Sequence, residues 1–333
     1  MKMTDYPSVQ DLVANNIFLL DGPEGTKQIT AKDMADALLK MAGGSAGGVD
    51  LFKLPLLEGG IKTGSRFLIG TPGGENKTLQ ADNVFYEVLD AFATMETRRN
   101  IFRGKNLGSE LTKEQAQHIV DGTFKGFFVG DYWEIEGRIW RIVDIDYWIG
   151  TGNEECTEHH LVIMPDHTLY NQTMNSSGNA TTGAYVNSEM YKTGLNNAKS
   201  TVNSAFGAGN ILNHQEYLQN AVTSGYASGG AFVASTVELP NECMMYGSYI
   251  FAPAGNGSVV TNRSTISRSQ LALMQIHPKW INLHKENQWL RDVVSDSRFA
   301  LADSYSLAHH AGASSSYGVR VVFGVDGKEK AAS

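Results

Sequence analysis

The chain has few cysteines, few charged side chains and no excess of basic ones. Its 333 residues include only two cysteines, too few for a scaffold held together by disulfides. Charged residues make up 19% of the sequence, against roughly 25% in an ordinary globular protein. The formal net charge is −8. A nucleic-acid partner is therefore not expected, because no basic surface is available to replace the counterions of a phosphate backbone.

Long apolar runs are also missing. No stretch approaches the roughly 20 apolar residues that cross a bilayer, so the sequence predicts no membrane insertion. The first residues lack the apolar segment of a secretory signal peptide. We therefore expect the protein to be made and to fold in a cytoplasm, with Cys156 and Cys243 reduced.

The motifs of the common enzyme classes are missing as well. The sequence has no phosphate-binding loop, no His-Glu-x-x-His zinc helix and no dinucleotide fingerprint. Residues 43–47, Gly-Gly-Ser-Ala-Gly, have the spacing of a nucleophile elbow, but they lie in a glycine-rich linker after a predicted helix. We predict a protein that is not an enzyme and that needs no cofactor.

Metal-binding residue types occur without a suitable spacing. Cys156, His159 and His160 lie close together, yet neighbouring histidines of a strand point to opposite faces, and a zinc site needs about four convergent ligands. Asp144 and Asp146 could bind calcium, although nothing supplies the other members of its shell of roughly 6–8 oxygens. The sequence therefore predicts no metal site, and a bound calcium ion stays open.

Glycine and small polar residues replace the missing charge. The chain has 35 glycines and is rich in Asn, Ser, Thr and Tyr. This composition is typical of β structure with many loops. It also suits a recognition surface, where Tyr, Ser, Gly and Asn give contact area and hydrogen bonds at low entropic cost.

A repeat lies near the N-terminus. The segment from Phe18 to Gly25 aligns with residues 67–74 at an offset of 49 residues, and the similarity continues after one inserted residue. Each copy predicts a strand, a turn, a strand and a helix. Modules this small do not bury a sufficient core alone, so we expect them to stack on each other, on a sister chain or on a particle. Ordinary packing modules within one monomer are the alternative.

The sequence divides into four predicted parts. Two repeat modules occupy residues 1–48 and 49–97, a helical connector occupies 98–125, and a large domain occupies 126–333. Thr112 and Gln115 have the spacing of a capping box at the start of the connector helix. In the large domain we predict strands over residues 127–135, 138–143, 160–164, 246–252 and 320–325, and a helix over 215–221.

Short motifs of the large domain resemble those of phage and prophage structural proteins. They are Gly-Asp-Tyr-Trp at 130–133, Trp-Arg-Ile at 140–142, His-His-Leu-Val-Ile at 159–163, Ser-Glu-Met at 188–190, Val-Glu-Leu-Pro at 237–240, Trp-Leu-Arg at 289–291, Phe-Ala at 299–300 and Gly-Val-Arg at 318–320. The closing motifs are similar to those of domains with a C-type-lectin-like or formylglycine-generating-enzyme-like fold. The family pattern usually continues with proline, where this chain has Val321.

The resemblance implies an α+β fold in which the repeated modules precede a C-type-lectin-like domain of short antiparallel strands and long loops. It also implies a ligand face between the last strands, and we name residues 303–317 the display segment. The predicted ligand-binding residues are Asp303, Ser304, Tyr305, His309, His310, Ser314, Ser315, Ser316 and Tyr317, with Trp280 as an unconstrained aromatic contact. A merely solvated polar loop is the alternative. The related enzymes use a late cysteine pair, whereas this chain has no cysteine after Cys243.

Three functions follow from these observations as expectations. The first is a virion fibre or appendage protein that binds a host-surface glycan or protein, forms a homo-oligomer such as a trimer, and contacts other virion proteins. The second is a head protein that decorates the capsid through its N-terminal repeats. The third is an enzyme acting on surface polysaccharide. In the first two cases the protein resides in the virion after synthesis in a bacterial cytoplasm.

Overall fold

The structure is a computed structural model that describes most of the chain. The described residues are 17–22, 25–30, 66–70, 76–80, 89–178, 180–218, 222–227, 231–253 and 269–333. The chain forms two compact units, residues 1–93 and residues 94–333. Residues 98–125, predicted as a connector, are part of the second unit.

The first unit contains two antiparallel hairpins. Strand β1 (Ile17–Gly22) pairs with β2 (Gly25–Thr30), and β3 (Arg66–Gly70) pairs with β4 (Asn76–Gln80). The start of β1 and the start of β3 are separated by the offset of the aligned sequence segments. The helix predicted after β2 and the glycine-rich linker lie outside the described residues, whereas residues 89–92 of the second predicted helix are helical.

The second unit combines short helices with mainly antiparallel sheets. Its helices are α1 (Met95–Asn100), α2 (Lys113–Val120), α3 (Ala184–Asn187), α4 (Asn196–Phe206), α5 (Glu242–Tyr246), α6 (Ala272–Ile276) and α7 (Lys328–Ala332). Its strands are β5 (Tyr132–Ile135), β6 (Arg138–Ile145), β7 (Leu161–Pro165), β8 (Tyr170–Thr173), β9 (His214–Leu218), β10 (Val222–Thr223), β11 (Tyr226–Ala227), β12 (Ala231–Ser235), β13 (Val237–Glu238), β14 (Gln288–Val293), β15 (Arg298–Ala302), β16 (Ala308–Gly312), β17 (Ser316–Val319) and β18 (Val322–Val325). No helix within the described ranges is long and apolar enough to cross a membrane.

Two five-stranded sheets organise this unit. The first sheet has the order β13-β18-β7-β6-β5, and all its neighbours are antiparallel. The second has the order β16-β15-β14-β17-β8, in which one parallel bridge, Gln288 with Gly318, joins β14 to β17. The remaining strands form two-stranded pairs, β9 with β12 and β10 with β11. A mixed α and β fold with antiparallel sheets was predicted, and the structure confirms that coarse description.

Aromatic side chains fill the core beside the first sheet. Trp133 and Trp140 face each other across the β5–β6 hairpin, and both rings meet Phe206 of α4 edge to face, at 5.7 and 5.8 Å between centroids. The hairpin turns at Glu136 and Gly137, both with positive φ (52° and 71°). These angles match the mirror-image turns that favour two-residue hairpins, and the predicted hairpin is therefore confirmed, although its first strand begins at Tyr132 and not at residue 127.

Two other predicted elements are wrong. Residues 246–252 do not form a strand, because the Glu242 carboxylate accepts the N–H groups of residues 250–252 that a strand would offer to a neighbour. The helix predicted over residues 215–221 is largely replaced by β9, which pairs along its whole length with β12. In both places contacts between distant residues override the local pattern.

Helix α2 begins at the capping box that its sequence predicts. The Thr112 hydroxyl accepts from the Gln115 N–H, and the Gln115 side chain accepts from the Thr112 N–H. We expect Thr112→Ala to lower the free energy of unfolding by about 1 kcal/mol, because one N–H of the first turn loses its acceptor. Urea unfolding measures this change. Thr112→Ser retains a hydroxyl and is the control; equal losses in both variants would contradict a capping role.

Candidate functional site

The display segment is not the single loop that was predicted. Residues 308–312 form β16 and pair one by one with β15, and residues 316–319 form β17. The sequence Ala-His-His-Ala-Gly of β16 lacks the β-branched and aromatic residues typical of strands, so only its pairing with β15 reveals it. What the structure exposes is a hairpin, β15–β16, with residues 303–307 at its tip.

Asp303 organises the tip of this hairpin. Its carboxylate oxygen Oδ1 accepts from the N–H groups of Tyr305 and Leu307, at 2.8 and 2.9 Å. Its own N–H donates to the carbonyl of Leu307 at 2.9 Å, and its carbonyl accepts from the Ser306 N–H at 3.0 Å. These bonds fix the backbone, while the side chains of Tyr305 and Leu307 stay 81% and 62% exposed.

A neighbouring segment, residues 282–287, fixes the base of the tip. The Asn282 amide nitrogen Nδ2 donates to the Asp303 carbonyl and, at 2.6 Å, to the carbonyl of Glu286. The Ser304 N–H donates to the Asn287 side-chain oxygen at 2.8 Å. The tip is therefore tied to the body of the unit by side-chain amides as well as by β15 and β16. Its exposed side chains project from a backbone with little freedom.

The predicted ligand-binding residues fall into three groups along the hairpin and beyond it. Asp303, Ser304 and Tyr305 share the tip, His309 and His310 lie on β16, and Ser314, Ser315 and Ser316 follow the far end of β16. Tyr305, His309, Ser314 and Ser316 are exposed, and Asp303, Ser304, His310, Ser315 and Tyr317 are half-buried. The structure thus brings five of the predicted residues, Asp303 to His310, onto one hairpin.

Tyr317 lies apart from that hairpin. It belongs to β17, and β14 lies between β17 and the hairpin in the sheet. Its ring packs edge to face against Trp289, with centroids 5.0 Å apart. This half-buried position corrects the expectation that Tyr317 closes a common loop with Tyr305.

Trp280 is not the exposed aromatic side chain that was expected. It is only 7% exposed, and the Arg141 guanidinium lies 4.1 Å from its ring centroid. Its carbonyl accepts from the buried Arg320. These contacts place Trp280 in the core, because two arginines and neighbouring rings enclose it, and little of its surface is left for a ligand.

An aromatic neighbour of the hairpin was missed in the sequence. Phe251, which follows α5, is 37% exposed and meets the His310 ring edge to face, with centroids 4.8 Å apart. The exposed Arg298 of β15 donates from Nη1 to Nδ1 of the same His310 at 3.0 Å. No sequence signal links Phe251 to His310, because nearly sixty residues separate them and only the fold joins them.

A cluster of charged side chains lies buried in the second unit, with two members on β14, the strand next to the hairpin. We name it the buried charge cluster, and its members are Glu216, Glu238, Glu242, Arg291 and Asp292, all at most 6% exposed. The Arg291 guanidinium donates to Glu216 Oε2, and Glu216 Oε1 accepts from His214 at 3.1 Å. Asp292 accepts from the Glu242 N–H at 2.6 Å. These bonds join β14 to β9 and to α5.

Burial raises the pKa values of these carboxyl groups, whereas positive partners and hydrogen bonds lower them. Burial alone would raise the pKa of Glu216, but the charge of Arg291 and the hydrogen bond from His214 lower it to about 2. Burial raises the pKa of Glu238 to about 7, against the hydrogen bond that Tyr185 donates at 2.7 Å. Burial and the neighbouring Glu242 raise the pKa of Asp292. Only Glu216 of these three is held firmly in its charged form.

The two glutamates are therefore expected to respond differently to replacement by glutamine at pH 8. Glu216→Gln removes the hydrogen-bonded counter-charge of a buried arginine, and we expect a loss of about 3–5 kcal/mol in the free energy of unfolding. Glu238→Gln keeps an acceptor for Tyr185 and removes a buried charge, so we expect stability equal to the wild type or higher.

The shifted pKa values of Glu238 and Glu216 give opposite dependences of stability on pH. A raised folded pKa means that the folded state holds the proton longer, so the cost of ionising Glu238 grows as the pH rises from about 4.5 through about 7. The contribution of Glu216 is present above about 4.5 and is lost as the pH falls towards about 2. Melting curves at pH 5 and pH 8 measure the effect of Glu238, and curves at pH 5 and pH 3 measure that of Glu216. An equal loss in the two variants at pH 8 would contradict this assignment.

The candidate metal ligands are engaged in other contacts. The Asp144 carboxylate accepts from Arg99 at 2.6 and 3.1 Å and from the Ala272 N–H at 3.0 Å. Asp146 accepts from His159 at 2.8 Å and from the His160 N–H at 2.9 Å. Within the part of the chain that the structure describes, no group of three or more His, Cys, Asp or Glu side chains is placed to hold a metal ion.

Known proteins give no assignment for this chain. No protein family matches the sequence, and no curated protein or solved structure is significantly similar to it. What the chain does therefore has to be inferred from its own residues and their geometry.

Proposed function

We propose that the chain is a structural protein of a phage or prophage virion, a fibre or appendage, whose large domain binds a host-surface glycan or protein through the β15–β16 hairpin. The observation that carries the proposal is the contrast within this hairpin. Its backbone is fixed by Asp303, Asn282 and Asn287, while Tyr305 is 81% exposed. A fixed backbone with exposed side chains is what a pre-organised binding surface requires.

A fixed backbone with exposed aromatic and polar side chains favours binding for a physical reason. Association costs the entropy of every group that becomes ordered, and a pre-organised surface avoids part of that cost. Tyrosine gives a large contact area with few rotatable bonds. Tyr305 and His309 are thus suited to contact a receptor without rearrangement of the hairpin.

The rest of the architecture is consistent with the phage-like sequence motifs. Short antiparallel strands connected by long segments are what a C-type-lectin-like domain requires, and we assign that fold to the second unit as part of the proposal. The two hairpins of the first unit, β1–β2 and β3–β4, are the part we assign to self-association, as a trimer, and to contacts with other virion proteins. Both are too small to be stable alone.

The same two hairpins favour a second candidate function. If residues 1–93 attach the chain to a capsid shell, the protein decorates the head and the β15–β16 hairpin needs no receptor. The two functions differ in what the purified chain binds. A fibre protein binds selected bacterial cells, whereas a decoration protein binds particles that lack it.

Cell binding of the full chain tests the proposal. We expect the fluorescently labelled wild type to bind selected strains of a bacterial panel in flow cytometry. The double variant Tyr305→Ala/His309→Ala should bind about tenfold or more weakly, because an exposed aromatic anchor often contributes over 1 kcal/mol. Both residues are exposed, so the melting temperature should not change.

Tyr226→Ala is the matched control, since Tyr226 is an exposed tyrosine, 47% accessible, on another hairpin. It should bind as the wild type does. If the double variant binds as tightly as Tyr226→Ala, the hairpin is not the receptor-binding surface. If the wild type binds no cell but binds undecorated particles, head decoration replaces the fibre assignment.

A further inference from the structure

The segment after α5 is held at the surface by a buried carboxylate. Glu242 is fully buried, and its carboxylate accepts from the N–H groups of Ile250, Phe251 and Ala252 at 2.8, 3.0 and 3.0 Å. Three charge-assisted bonds to successive backbone groups leave this segment little freedom. Ile250 and Phe251 nevertheless remain 50% and 37% exposed. The buried Glu242 carboxylate thus fixes the backbone of two apolar residues whose side chains remain partly exposed to solvent.

Phe251, His310 and Arg298 form one continuous patch, which we name the Arg298 patch. Phe251 packs edge to face on His310, and the Arg298 guanidinium donates to Nδ1 of that imidazole. Because a guanidinium has only donors, Nδ1 must be unprotonated and the ring neutral, with its hydrogen on Nε2. Burial and the charge of Arg298 lower the pKa of His310, in agreement with a neutral ring. The patch therefore offers only hydrogen-bond donors.

Arg298 makes no ion pair with an acidic side chain among the residues that the structure describes. Its side chain is exposed, its hydrogen bond goes to a neutral imidazole, and the ion pairs of the described residues involve other arginines, such as Arg99, Arg141 and Arg291. A guanidinium carries five N–H donors in a planar fork that matches a carboxylate or a phosphate. Four of these five donors are therefore available for an anionic group.

We propose that the Arg298 patch binds an acidic glycan, with the acidic group on Arg298, a hydroxyl on His310 and the apolar face of a sugar ring on Phe251. This inference rests on the proposed function, since it names the ligand class of the same hairpin. The acidic group is a carboxylate or a phosphate, because both fit the guanidinium fork. The aromatic ring favours a sugar over a free anion, since a free anion has no apolar face to cover Phe251.

The net charge of −8 does not oppose this binding strongly. At physiological salt, charges beyond about 8 Å are largely screened, so the charge of the whole chain acts weakly on a contact made at Arg298. Affinity should fall as salt rises, because one ionic contact carries much of the recognition.

The experiment uses the full chain and three oligosaccharides in calorimetry. Hyaluronan hexasaccharide provides carboxylates, an oligomer of glycerol phosphate bearing glucose provides phosphates, and maltohexaose is neutral. We expect at least one of the two acidic oligosaccharides to bind and maltohexaose not to bind. Arg298→Gln should weaken that binding by about 10- to 100-fold, the effect of losing a hydrogen bond to a charged group. Phe251→Ala should weaken it as well.

Arg138→Gln is the matched control, because Arg138 is an exposed arginine of β6, in the other five-stranded sheet. It removes the same charge and should leave the affinity unchanged. Equal losses in Arg298→Gln and Arg138→Gln would overturn the proposal, since the binding would then follow net charge alone. Equal affinity for maltohexaose would also overturn it.

Cell binding separates this inference from the function on which it rests. If the wild type binds cells, and Arg298→Gln binds the same cells equally well while neither acidic probe binds, the glycan class is wrong and the receptor-binding function stands. If the wild type binds neither cells nor probes, both fail. If Arg298→Gln loses the acidic probe and the cells together, both are supported.

Discussion

The buried guanidinium of Arg291 is the constraint on which the second unit depends. A charge of this kind is stable in a core only with a partner, and here Glu216 of β9 provides it. The Arg291 N–H also donates to the Pro240 carbonyl at 3.0 Å. Strand β14, the middle strand of the second sheet, is thereby joined to β9 and to the segment before α5. The hairpin β15–β16 is held in the sheet because β15 pairs with β14.

Local signals were enough to predict some elements of this fold. The hairpin β5–β6 has a glycine in its turn and apolar residues in both strands, and the Thr112–Gln115 capping box marks the start of α2. In each case the residues that determine the element are within a few positions of one another, so their pattern is visible in the sequence. The tip of the candidate site, with Tyr305, was predicted because the resemblance to phage proteins implies a ligand face between the last strands.

Contacts between distant residues determine what the sequence did not reveal. Strand β16 has no strand-like composition and exists because β15 offers its backbone groups. Trp280 is buried because Arg141, Arg320 and Phe102 converge on it from separate segments. Phe251, whose N–H donates to the distant Glu242 carboxylate, contacts His310 on the hairpin. The sequence pattern does not show which distant residues come into contact, and the same residues form different elements in different surroundings.

The core and the surface of this unit are connected through adjacent residues of β14. Arg291 holds the buried charge cluster together, and Asp292 accepts the Glu242 N–H, which fixes the start of α5. The Glu242 carboxylate in turn fixes the backbone of Phe251, which contacts His310 on the hairpin. Burying several carboxyl groups in one place costs free energy, since the pKa of Glu238 is raised to about 7. This cost is consistent with the receptor-binding surface that we propose, because charge-assisted bonds fix the backbone beneath exposed side chains more firmly than apolar packing, which is not directional.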